Sequence, residues 1–125
     1  MIKKILVVDD DEGIVDALSL MLEEYGYEVS ATLRGEETYQ KVNRFNPDLI
    51  FLDILMSGAD GRIICQKLKS DAKTKSIPIV MISAHPSAKR HALRVGADGF
   101  LAKPFETDEL ISLAEKYTSI KAALN

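Results

Sequence analysis

The sequence predicts an open α/β fold: five parallel strands, each followed by a helix, doubly wound about one sheet. Three observations predict it. Ile5-Leu6-Val7-Val8, Leu49-Ile50-Phe51-Leu52, Ile79-Val80-Met81-Ile82 and Gly99-Phe100-Leu101-Ala102 are short apolar runs without polar alternation, the mark of strands buried on both faces. Segments between them repeat apolar residues at three- and four-residue spacing, as one-sided helices do. Each apolar run also stops at a polar or charged group: Asp9-Asp10, Asp53, Ser83 and Lys103 in turn.

The elements follow in order. After the first strand, Ile14, Leu18, Met21, Leu22 and Tyr25 form one helical face, and Gly26 is placed to cap the helix end. Residues 27–32 alternate weakly and read as a short second strand. Residues 35–45 carry Tyr39, Val42 and Phe45 on one side of a helix that Asn46-Pro47 breaks. The third strand runs straight into Asp53. A glycine-containing loop, Ser57-Gly58-Ala59-Asp60-Gly61, leads into a helix marked by Ile64, Cys65 and Leu68. Pro78 introduces the fourth strand, and a polar helix with Ala92, Leu93 and Val95 then runs to Gly96. Lys103-Pro104 closes the fifth strand. The last helix starts near Thr107, read as its N-cap, with Asp108 and Glu109 in the first turn and Leu110, Ala114, Tyr117 and Lys121 as its stripe. Strict alternation of strand and helix gives a parallel sheet covered on both faces, and right-handed crossovers leave few ways to wind it.

Composition bounds the function. A chain of 125 residues, 46% hydrophobic and 28% charged, fits one compact domain over residues 1–125 that needs no disulfide or structural metal. Cys65 is the only cysteine, which excludes an internal disulfide and a multi-cysteine zinc site; on an apolar face it reads as a small core residue. The net charge of -3 argues against nucleic-acid binding driven by phosphate contacts. Neither a membrane span nor a signal peptide is present in the sequence, so a cytoplasmic location is expected.

The polar residues at the strand ends carry the chemistry. In a doubly wound sheet those ends share one edge, where ligands bind. With strand order 2-1-3-4-5, strands one and three are neighbours at the point where the winding reverses. Asp9, Asp10 and Asp53 would then meet in one crevice, with Ser83 and Lys103 beside them. Three adjacent carboxylates raise one another's pKa unless a cation neutralises them. Mg²⁺ suits such a set, since it accepts a few carboxylates and keeps waters that a phosphate can replace. A carboxylate can also attack phosphorus to give an aspartyl-phosphate, a transfer that needs mainly positioning and charge neutralisation.

Val7-Val8-Asp9-Asp10, Asp48 through Asp53, Met56 through Gly61, Ile82-Ser83-Ala84 and Lys103-Pro104-Phe105 together resemble the receiver domain of response regulators, in matching order from Ile5 to Phe105. The resemblance implies a flavodoxin-like fold with Asp53 as phosphoacceptor. It implies Mg²⁺ bound by Asp10 and Asp53, by Asp9 through the metal's water shell, and by the backbone carbonyl of Leu55. Lys103 would meet the phosphoryl oxygens, Ser83 would be the switch hydroxyl and Phe100 the rotating aromatic, and the Lys103-Pro104 bond would be cis. Donors would be a sensor histidine kinase or a histidine phosphotransfer protein. The output would be a changed surface on helix four, strand five and helix five, compatible with a homodimer formed on phosphorylation. Leu55 and His85 occupy the positions that tune phosphoryl lifetime. Two departures stand out: Ser57 takes the place of the usual proline, and the segment between Ser83 and Gly96 is short.

Plainer readings exist for each part. Asp9, Asp10 and Asp11 could simply begin a helix; Ser83 could be a strand-ending hydroxyl; Phe100 could serve packing alone. Lys89, Arg90, His91 and Arg94 read as a solvated face. Among whole functions, an aspartate-nucleophile phosphatase would need a second acid where Leu55 stands. A degenerate receiver acting only through protein contacts would not need all five polar site residues. A dinucleotide or flavin binder would need a glycine-rich phosphate loop that is missing.

Overall fold

A computed structural model describes the backbone of residues 1–124 and the side chains of residues 1–119. The main sheet contains β1 (Lys4–Val8), β2 (Glu28–Thr32), β3 (Leu49–Asp53), β4 (Ile79–Ser83) and β5 (Gly99–Ala102). β1 pairs with both β2 and β3, β3 with β4, and β4 with β5, all parallel. The order is therefore β2-β1-β3-β4-β5, as the sequence predicts. Its helices are α1 (Glu12–Glu24), α2 (Thr38–Phe45), α3 (Gly61–Ser70), α4 (Lys89–Arg94) and α5 (Thr107–Leu124).

The central strands are apolar without interruption because both of their faces are covered. Ile5, Val7, Phe51, Val80 and Ile82 point toward α1 and α5 and pack with Val15, Leu18, Leu22, Leu110 and Ala114. Leu6, Val8, Ile50, Leu52 and Met81 point the other way, toward Val42, Ile64, Leu68 and Ala92 of α2, α3 and α4. Cys65 lies fully buried in this second cluster, where burial pushes its thiol up to about 11. Each fully buried aliphatic side chain contributes about 1.5–3 kcal/mol, so these two clusters supply the main drive for winding the chain around the sheet.

Local signals set the helix ends. Asp11 caps α1, its carboxylate accepting from the amides of Gly13 and Ile14. At the other end Gly26 adopts φ +93° while the Gly26 and Tyr27 amides donate back to Glu23 and Leu22, a Schellman stop that only glycine enters without strain. Gly96, at φ +108°, ends α4 by the same arrangement.

Several expectations need correction. Tyr25 is 56% exposed, because α1 ends at Glu24 and the turn carries Tyr25 off the core face. Thr107 does not cap α5. Glu106 takes that place: its carbonyl accepts the amide of Leu110, and its own amide donates to Glu109 Oε1. Thr107 Oγ1 lies instead against Met21 Sδ at 3.7 Å. Helix α4 has six residues, preceded by one 3-10 turn over Pro86–Ala88. A two-residue antiparallel ladder, Leu55–Met56 with Ala59–Asp60, closes the loop after β3; its strands are too short to register as a pattern. Lys121 lies outside the described side chains.

Candidate functional site

Four strand ends bring the polar residues to one rim. Asp9 follows β1 directly and is fully buried. Its Oδ1 accepts the amide of Asp11 at 2.9 Å, and its Oδ2 takes the Lys103 ammonium at 2.9 Å. Both oxygens are thus committed within the protein. Asp10, the next residue, is exposed, and its Oδ2 accepts the Ser57 amide at 2.7 Å. Asp53 ends β3 and is 5% exposed; its Oδ1 lies 3.5 Å from Lys103 Nζ. One oxygen from each of Asp9, Asp10 and Asp53 lies within 4.8 Å of the other two. The sequence expectation that these acids and Lys103 converge is met.

The electrostatics follow from this crowding. Burial, and then the Asp9 charge, push the Asp53 carboxyl up to about 6, with Asp10 adding to the rise and Lys103 opposing it. For Lys103, burial acts to lower the pKa, but the hydrogen bond to Asp9 and the charges of Asp53 and Asp9 outweigh it, leaving a raised value. Asp9 and Asp53 therefore share one ammonium, and Asp10 adds a third carboxyl group beside them. A hard divalent cation with oxygen ligands fits that surplus of negative charge.

The switch candidates lie beside this group. Ser83 ends β4, is 3% exposed, and its Oγ accepts the amide of His85 at 2.9 Å. Its carbonyl receives the Lys103 amide at 2.9 Å, which ties the ends of β4 and β5 together. The Lys103-Pro104 bond is cis, as expected. Phe100 is half-buried and packs on the α2–α4 side of the sheet. Leu55, two residues after Asp53, is 57% exposed, and His85, two residues after Ser83, is also exposed.

Two features were missed in the sequence. Gly61 begins α3, its amide donating to the Ile54 carbonyl at 2.7 Å, and a Cβ there would collide with the carbonyl oxygen of Asp53. Glycine is thus required for the backbone of Asp53 to sit where it does. The only hint was the Asp60-Gly61 pair before a helix. Asp60 in turn caps α3 and grips Arg62 through two bonds, 2.7 Å and 3.0 Å; these hydrogen bonds hold the Asp60 carboxyl below the usual carboxylate range. Arg62 Nη1 also reaches His91 Nδ1 of α4 at 3.2 Å.

An acidic rim with one ammonium, set at the winding switch of a doubly wound sheet, lies where such sheets bind their ligands. The comparisons with known proteins make this specific. The sequence profile of the response regulator receiver domain matches residues 5–115. The chain is 36% identical over 111 residues to the DNA-binding dual master transcriptional regulator RpaA of Synechocystis, covering 87% of this chain and 46% of RpaA. It is 37% identical over 114 residues to the phosphate regulon transcriptional regulatory protein PhoB of Rhizobium meliloti, covering 90% of this chain and 50% of PhoB. It thus spans about half the length of these relatives. The crystal structure of a putative response regulator from Chloroflexus aurantiacus superimposes with a TM-score of 0.90 at 35% identity, covering 95% of this chain and 99% of that one.

The chain belongs to the response regulator receiver domain family and is a receiver of two-component signalling. Members of this family are phosphoacceptor signalling domains rather than classical enzymes; they bind Mg²⁺ in the acidic pocket and interact with histidine kinases. No described helix is long and apolar enough to cross a membrane.

Proposed function

We propose that Asp53 accepts a phosphoryl group from a phosphohistidine on a sensor kinase or phosphotransfer protein. The observation that carries this reading is the approach of Asp9, Asp10 and Lys103 to the Asp53 carboxylate at the rim. An Asp53 oxygen attacks phosphorus, the P–N bond to the donor imidazole breaks as the new P–O bond forms, and the imidazole leaves to take up a proton. Asp10 and Asp53 would hold Mg²⁺ directly, with the Leu55 carbonyl as a further ligand. Asp9, both of whose oxygens are already bonded, would act through the ion's waters. Bound Mg²⁺ supplies charge neutralisation for the phosphoryl oxygens, and Lys103 gives them an ammonium.

The added charge at Asp53 then draws Ser83 inward. Its Oγ gives up the His85 amide, which frees the entry to α4, and Phe100 turns into the space behind Ser83. The output is the surface of α4, β5 and α5, which can also pair two copies. This reading takes residues 1–125 as one receiver domain that catalyses only its own phosphorylation and dephosphorylation, in the cytoplasm. Leu55 holds the place where a phosphatase would carry its acid, which disfavours turnover of external esters.

Incubation with Mg²⁺ and acetyl phosphate, followed by intact mass, should give one phosphoryl adduct that Asp53→Asn abolishes. No adduct, or an adduct retained in Asp53→Asn, would refute the assignment. Ser83→Ala should still accept the phosphoryl group but leave the α4–β5–α5 amide resonances unmoved by it. Equal movement in both proteins would remove Ser83 from the switch.

A further inference from the structure

The main-chain amide of Ser57 lies 2.7 Å from Asp10 Oδ2. It comes from the far side of the loop after β3, 47 residues along the chain. We propose that this amide is a positioning group for Asp10, holding its carboxylate toward Asp53 so that the two can share a divalent ion. The inference deepens the functional reading above and rests on Asp10 being a metal ligand.

Three features support it. First, Asp10 is the exposed member of the acidic trio. Asp9 is anchored by Lys103 and Asp11, and Asp53 has Lys103, but Lys103 is not within bonding range of Asp10. The Ser57 amide is the donor that Asp10 has among the described residues. Second, like charges drive an exposed carboxylate away from its neighbours. A short bond from an N–H to a charged acceptor is among the stronger hydrogen bonds, so it is suited to resist that repulsion. Third, the loop that presents the amide is itself held. The ladder between Leu55–Met56 and Ala59–Asp60 closes it, and Gly61 is bonded to Ile54. The donor therefore sits on a braced turn that begins at Asp53.

The identity of residue 57 decides whether this bond exists. Any residue but proline brings an N–H, and proline brings none. Ser57 thus gives the loop a donor in place of the stiffness that proline would lend it. Ligating carboxylates depend on such outer partners, whose loss typically costs about 10- to 100-fold in metal affinity.

The test is Mg²⁺ affinity by calorimetric titration of the full chain, with no phosphoryl donor present. Ser57→Ala keeps the amide and should bind Mg²⁺ within about twofold of the native chain, while Ser57→Pro should lose about tenfold or more. Equal affinity in Ser57→Pro would overturn the role of Ser57, as would an equal loss in Ser57→Ala. Should Ser57→Pro not fold, hydrogen exchange on the native chain decides. The Ser57 amide should be protected both with and without Mg²⁺, and exposed to exchange in Asp10→Ala; an unprotected Ser57 amide in the native chain overturns the proposal. Failure of the native chain to bind Mg²⁺ at all would instead overturn the metal-site reading, and this inference with it.

Discussion

Asp53→Asn should stabilise the metal-free protein at neutral pH while abolishing its chemistry. The Asp53 carboxyl stands at about 6 in the fold against an ordinary 3.8, so between those values the native state binds the proton that the unfolded chain has released. Stability then falls as pH rises, because protons are bound more by the folded than by the unfolded form. The contribution is intact below about pH 4 and is lost as pH rises through about 6. At about 1.4 kcal/mol per pH unit, the full loss above about pH 7 is about 3 kcal/mol. Asparagine is neutral and close in shape to the protonated acid, so it escapes this loss. Urea unfolding in EDTA should show Asp53→Asn more stable than the native chain by about 1–3 kcal/mol near pH 7.5, with the gap closing toward pH 4. Added Mg²⁺ should narrow the gap at neutral pH by stabilising the native chain preferentially. An Asp53→Asn protein that is no more stable at neutral pH in EDTA, or a gap of constant size across this range, would refute the account of charge crowding.

The other predictions concern the surrounding residues. Lys103→Met leaves Asp9 fully buried without its ammonium, and should cost about 3 kcal/mol of stability in urea unfolding; an unchanged midpoint would mean that Asp9 finds other solvation. Gly61→Ala drives a methyl group into the Asp53 carbonyl. It should cost about 2 kcal/mol or more and cut the rate of phosphoryl adduct formation, as read by intact mass. Leu55→Asn replaces an exposed apolar side chain beside the site with one able to orient water, and should shorten the life of the Asp53 phosphate by about threefold or more; decay no faster than in the native chain would exclude Leu55 as a barrier to the attacking water.

Much of the fold was legible because it is written in near neighbours. Uninterrupted apolar runs at Ile5-Leu6-Val7-Val8 and Leu49-Ile50-Phe51-Leu52 require two covered faces wherever they end up. Asp53 and Lys103 at the ends of such runs must reach the sheet edge, since a strand's last residue has nowhere else to go. Gly26 and Gly96 mark helix ends by a backbone preference that belongs to the residue itself. Tyr25 and Thr107 misled because periodicity and cap preference describe a helix without fixing its ends to the residue: α1 stops one residue before Tyr25, which is left in solvent, and the cap position of α5 falls one residue before Thr107, at Glu106, whose amide donates to the Glu109 carboxylate.

Tertiary structure decided what depends on distance across the chain. Adjacent acids, alike in sequence, part company: Asp9 is sealed against Lys103, 94 residues away, while Asp10 stays in solvent under the Ser57 amide. The raised Asp53 carboxyl, the contact that reserves position 61 for glycine and the link from Arg62 to His91 likewise arise only when separate strand ends and loops meet. By itself the sequence determined which residues would gather at the rim, because hydrophobic patterning and strand ends are local properties. It could not determine which oxygen faces which donor, because burial and electrostatics depend on every group that the folded chain brings within a few ångströms.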